Sequence, residues 1–104
     1  MKRKQEKEKK KQQKTEENEK MWELFREIWN ERPHYSELSW IWLGREISSI
    51  FFHHILPKSK YKDAKFDKDN IILITGDEHS TVENNPTKYG EINDRREKLK
   101  KKYG

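Results

Sequence analysis

Between residues 2 and 20 the chain carries no apolar side chain, so its first stretch has nothing to bury, although its Lys, Glu and Gln favour helix. Any core must come from residue 21 onward. With 104 residues, of which 41% are charged and 30% hydrophobic, the apolar material suffices for one core of roughly 60–80 residues. A large enzyme with a cofactor domain of its own is excluded. Residues 1–20 are therefore read as a charged tail, frayed helix or flexible, and residues 21–104 as a single domain. No run approaches the roughly 18 apolar residues of a membrane span, and the N-terminus lacks the apolar stretch of a secretory signal. The expectation is a soluble, cytoplasmic protein with no membrane partner. The absence of Cys removes disulfides, Cys-based zinc knuckles and a thiol nucleophile. Four scattered glycines form no phosphate-cradling loop, so no nucleotide cofactor is expected.

The net charge of +5 is unevenly spread. Residues 1–20 hold nine basic and five acidic side chains, and residues 95–102 hold six basic residues against one Glu, which leaves residues 21–94 at about −4. Basic ends around a mildly acidic middle suit a chain that grips a polyanion at its ends and a cation at its centre. Mixed Lys and Glu runs also serve simply as solvated surface.

The pattern changes at Met21. Trp22, Phe25 and Trp29 at i, i+3 and i+7, with Leu24 and Ile28 beside them, predict an amphipathic helix that stops near Glu31 because of Pro33. Gly44 offers a turn after the irregular stretch holding Trp40 and Trp42. Residues 47–56 read as a strand ended by Pro57, residues 58–69 as a Lys-rich loop, and residues 70–75 as a second strand buried on both faces and able to pair antiparallel with the first. Thr75 and Glu78 have capping-box spacing, so a helix carrying His79 in its first turn should begin there and end at Asn84-Asn85-Pro86. A last helix is expected from Pro86 or Thr87, with Tyr89, Ile92, Leu99 and Tyr103 as its apolar stripe and the basic cluster outside. The fold class is α+β.

Three of the four His residues fall in this strand, loop, strand, helix segment. His53 and His54 are adjacent on a strand and point to opposite faces, so they cannot share one role. A hairpin with the helix folded across it would let His53 meet His79 around a metal ion. Glu83, four residues after His79, shares its helix face and is either a third ligand, a support for one, or a plain exposed residue.

The strings Phe52-His53-His54-Ile55-Leu56-Pro57-Lys58, Asp69-Asn70-Ile71-Ile72-Leu73-Ile74 and Asp77-Glu78-His79 together resemble the three parts of the HNH endonuclease motif. The likeness spans residues 36–83, with a motif core at 47–85, and is strongest to small phage-type members, including recombination-associated nucleases of tailed phages. It implies a ββα-metal (His-Me) finger that hydrolyses phosphodiester bonds in DNA around one divalent cation. Carried over by position, His53 and His79 match the metal ligands, His54 the general base and Asn70 the residue bracing the loop. A neutral imidazole can take a proton from water at physiological pH, which suits His54, and an amide with donor and acceptor atoms suits Asn70. Lys58 and Lys60, with Arg95 and Arg96 at the head of the basic cluster, are the expected DNA contacts.

The chain departs from that family in two ways. Many members carry paired Cys knuckles, and some have a second His where this chain has Glu83. Glu in place of His shifts the donor set toward oxygen, favouring Mg²⁺ or Mn²⁺ with Zn²⁺ as the other candidate. Without Cys, Trp29, Trp40 and Trp42 are expected to pack against the strand bearing Phe51 in the knuckle's place. Two rival readings remain: a catalytically weak or inactive HNH-fold DNA-binding or recombination accessory protein, and an interaction protein that uses the Trp-bearing helix.

Overall fold

The computed structural model describes residues 2–104, with side chains described from Glu16 onward. Its order is α1 (Lys2–Glu31), β1 (Phe52–His54), β2 (Ile71–Leu73), α2 (Gly76–Asn84) and α3 (Gly90–Tyr103), a small α+β fold of three helices and one two-stranded antiparallel sheet. No helix among the described residues is long and apolar enough to cross a membrane.

Helix α1 runs from Lys2 and takes in both the charged stretch and the apolar stretch that begins at Met21. Among its residues from Glu16 onward, Met21, Leu24, Phe25, Ile28 and Trp29 are buried, whereas residues 16–20 are exposed. The propensity of Lys, Glu and Gln favours the backbone helix, and the apolar stripe docks it together with ion pairs from Glu17 to Lys65 and from Glu27 and Glu31 to Lys68. The helix ends at Glu31, two residues before Pro33.

The sheet lies between two apolar layers. Strand alternation sends Phe52, Ile71 and Leu73 toward α1, where Phe25 stacks on Phe52 with ring centroids 4.2 Å apart, and sends Ile72 and Ile74 toward Val82 of α2 and Ile92 and Leu99 of α3. Burial of β2 on both faces accounts for its unbroken apolar sequence. Register pairs Phe52 with Leu73, His53 with Ile72 and His54 with Ile71.

The far edge of β2 is closed by a feature with no motif in the sequence. Glu37 accepts the Leu73 amide through Oε2 at 2.7 Å, and its own amide donates to the Leu73 carbonyl at 2.8 Å. Arg32 donates to the Ile71 carbonyl at 2.6 Å and to Glu37 at 3.0 Å, while Arg95 donates to the other Glu37 oxygen at 3.1 Å. An edge that would otherwise offer unpaired backbone groups is thereby sealed.

The turn into α2 forms the expected capping box, with Thr75 Oγ1 accepting from the Glu78 amide at 3.1 Å and Glu78 Oε1 accepting from the Thr75 amide at 2.9 Å. The buried Ser36 donates to the same Glu78 oxygen at 2.6 Å and so joins the 34–43 turn to α2.

Several expectations are corrected. The first strand is three residues long, because Ser49–Phe51 form a 3₁₀ turn ahead of it. Asn70 closes a further 3₁₀ turn, Lys68–Asn70, instead of opening β2, since its side chain is committed to the preceding loop. Helix α3 starts at Gly90, after a turn through Pro86 and Thr87. Trp29 does stack on Phe51, at 5.9 Å, but Trp40 and Trp42 are 72% and 51% exposed and do not replace a metal knuckle. Trp40 sits at φ 63°, a left-handed conformation that costs a bulky residue about 1–2 kcal/mol.

Candidate active site

His53, on the α2 face of β1, meets the first turn of α2, and its ring lies 5.2 Å from that of His79 in an edge-on arrangement. Among the described residues neither ring nitrogen of His53 has a hydrogen-bond partner. His79 donates from Nδ1 to the Ile50 carbonyl at 2.7 Å, since a carbonyl can only accept, and its Nε2 then faces Glu83 Oε1 at 3.1 Å. That last pair is satisfied by a proton on Nε2 or by a cation shared between nitrogen and carboxylate.

His54 points to the α1 face, 6.3 Å from the Phe25 ring. Its Nε2 donates to the Lys65 carbonyl at 3.0 Å, which leaves Nδ1 as the acceptor. Asn70, fully buried, holds the loop that presents this carbonyl. Its Oδ1 accepts from the Leu56 amide at 2.7 Å, and its Nδ2 donates to the carbonyls of Leu56 and Ala64, each at 3.1 Å. Ala64 is the neighbour of Lys65, so the amide fixes both ends of the path from the strand to the His54 partner.

A cleft of about 390 Å³ at this end of the sheet is lined by Phe25, His53, His54, Lys58, His79 and Glu83. A larger one of about 510 Å³ lies along the β2 edge, where Arg32 and Arg95 are already paired with Glu37. The smaller cleft is the candidate site, because it brings His53, His54 and His79 together with Glu83 and Lys58.

The expected residues thus divide. His53, His54, His79, Glu83 and Lys58 come together, with Asn70 beneath them. Arg96, held by Asn93 and the Pro86 carbonyl, is near enough for its charge to act on His53. Lys60 faces a separate hollow with Tyr61 and Tyr103, and Arg95 is bound to Glu91 and Glu37. The carbonyls of Ile50 and Lys65, which orient two imidazoles, have no side-chain signature by which a sequence could reveal them.

Burial pushes His53 down to about 4, aided by the nearby His79, His54 and Arg96. Burial likewise lowers His54 to about 4, against the Lys65 carbonyl bond and with the charges of Lys58, Lys65 and His79. Both rings are therefore neutral at physiological pH, the form that ligates a metal or accepts a proton. The unfolded chain takes up protons below about 6.5 that the fold refuses until about 4, so stability is full at neutral pH and falls across that window. Thermal melts at pH 7 and pH 4.5 should show a lower Tm in acid, and a His53→Gln, His54→Gln double variant should show a smaller acid loss. An equal loss in both proteins would assign the effect to other groups.

Among the described residues no group of three His, Asp or Glu side chains converges closely enough to hold a metal ion. The His53 and His79 rings lie 5.2 Å apart, and Glu83 is paired with His79. No protein-family model, curated protein or solved structure matches the chain.

Proposed function

We propose that the chain is a metal-dependent DNA endonuclease of the HNH type, built on a ββα-metal finger. The observation that carries this is the division between adjacent histidines. His54 has Nε2 tied to the Lys65 carbonyl and Nδ1 left to accept, in the same cleft where the rings of His53 and His79 lie 5.2 Å apart.

In this reading His54 Nδ1 takes a proton from a water molecule as its oxygen attacks the phosphorus of a phosphodiester. The bond from phosphorus to the 3′ oxygen breaks, and that oxygen is protonated from solvent. Lys58, at the mouth of the cleft, holds a phosphate oxygen by charge. His53 and His79 would hold one divalent cation, Mg²⁺ or Mn²⁺ foremost, which when bound offsets the negative charge that grows on the phosphorane and the leaving oxygen. Two protein ligands leave coordination positions for water and substrate.

Supercoiled plasmid supplies the direct test. Nicking should appear with Mg²⁺ or Mn²⁺, vanish with EDTA, and fall in His79→Ala together with a loss of Mn²⁺ affinity of more than about tenfold by calorimetry. The pairing of Glu83 with His79, in place of a three-residue ligand group, favours the second reading, a DNA-binding accessory protein that keeps the finger as a scaffold. DNA binding without scission under any divalent cation would select it.

A further inference from the structure

His54 takes its orientation from a single backbone group, the Lys65 carbonyl at 3.0 Å, so whatever holds that carbonyl also holds the imidazole. On the Ala64 side the fastening is Asn70, whose Nδ2 donates to the Ala64 carbonyl at 3.1 Å. On the other side it is Asp67, and all of its hydrogen-bonding groups are engaged. Its amide donates to the Ala64 carbonyl at 3.2 Å, and its carbonyl accepts from the Asn70 amide at 3.0 Å. Oδ1 accepts from the Asp69 amide at 2.9 Å and caps the 3₁₀ turn Lys68–Asn70. Oδ2 accepts from Lys102 Nζ at 2.8 Å and from the Tyr103 hydroxyl.

Those last two partners come from the final turn of α3, 35 and 36 positions further along the chain. The Lys102 side chain is exposed, so that ion pair by itself fixes little. The Tyr103 hydroxyl differs. Its ring packs, half-buried, against the apolar layer that includes Ala64 and Leu99, so the hydroxyl reaches the carboxylate from a fixed direction. Burial alone would raise Asp67, but the bonds from Lys102, Tyr103 and the Asp69 amide hold its carboxyl below the usual range, and it accepts all three as an anion. The remaining tie on this segment, Lys65 Nζ to Glu17 at 3.0 Å, ends on an exposed carboxylate and adds little.

We propose that Asp67 and Tyr103 are positioning residues, through which the last turn of α3 holds the segment from Ala64 to Asp67 and keeps the Lys65 carbonyl in place for His54. The consequence for catalysis rests on the reading of His54 as the base of a phosphodiesterase; the hold on the imidazole does not. If the pair served only to anchor α3, the His54 ring would be indifferent to its loss.

NMR of the full chain with isotope-labelled imidazoles, in EDTA, reads the hold directly, because an Nε2–H bonded to a carbonyl exchanges slowly with water. The His54 signal is assigned by its absence in His54→Gln. Tyr103→Phe keeps the packed ring and removes only the hydroxyl, and it decides alone if Asp67→Ala does not fold. The His54 Nε2–H should exchange roughly tenfold faster in Asp67→Ala, and by a smaller factor in Tyr103→Phe. Nicking by Asp67→Ala with Mn²⁺ should fall about 10- to 100-fold in kcat, with KM and Mn²⁺ affinity unchanged. Ile92→Val, which trims a buried side chain of the same helix and touches none of these hydrogen bonds, should exchange like the parent. Exchange at the parent rate in either loop variant would overturn the proposal. So would an equal acceleration in Ile92→Val, which would make the effect one of general stability. A parent that nicks no plasmid under any divalent cation would remove the hydrolytic reading and leave the exchange result standing.

Discussion

Replacing His54 by alanine should lower plasmid nicking about 10²- to 10⁴-fold, the usual contribution of a positioned general base, while Mn²⁺ binding by His53 and His79 is retained. The separation of effects follows from geometry. His54 faces α1 and leans on the Lys65 carbonyl, whereas His53 faces α2 and His79, so removing one imidazole leaves the other pair in place. A base held near 4 is unprotonated throughout the neutral range, and the acid limb of nicking should therefore begin below about pH 5 and not near 6.5. Such a base is always available but weaker than an unperturbed imidazole, so in the proposed reaction a divalent cation, if held by His53 and His79, would supply more of the charge that activates water. Full nicking by the His54→Ala protein would remove His54 from the reaction.

The second large effect is on the fold itself. Asn70→Ala should destabilise the protein by about 3 kcal/mol or more, because it leaves the buried Leu56 amide and two carbonyls without their side-chain partner. For a domain of this size that is a fall in Tm of roughly 12–24 °C. Asn70→Asp should fare no better: one oxygen still accepts from Leu56, but the other faces the Leu56 and Ala64 carbonyls with no proton to give at neutral pH. Activity should be lost in step, since the carbonyl that orients His54 belongs to the loop Asn70 holds. An Asn70→Ala protein that melts with the parent would show that the 58–69 loop is fastened by other contacts.

Much of the frame was legible along the chain, because it depends on neighbours in sequence. The apolar stripe from Met21 to Trp29, the stop before Pro33, the Thr75 and Glu78 capping box and the opposed faces of His53 and His54 are all consequences of local period and local chemistry. Strand length was not legible. Ile50 and Phe51 have strand-forming side chains, yet a two-stranded sheet pairs only where β2 lies opposite, and the residues ahead of Phe52 turn into 3₁₀ geometry. The tryptophans misled for a related reason. Hydrophobicity says that Trp40 gains by burial, but the hydrogen bonds around Ser36 turn the chain so that its ring points outward.

What the sequence by itself determined is which groups are present and which side of a helix or strand each occupies: three imidazoles, two on opposite faces of one strand and one in the first turn of a helix. Only the tertiary structure decided that Arg95 closes a sheet edge beside Glu37, that Lys65 and Ile50 lend carbonyls to His54 and His79, and that Trp40 stands in solvent. Periodicity is a property of consecutive residues. A hydrogen bond to a backbone oxygen 11 or 29 positions away depends on the path of the intervening chain, which is set only when the whole core packs.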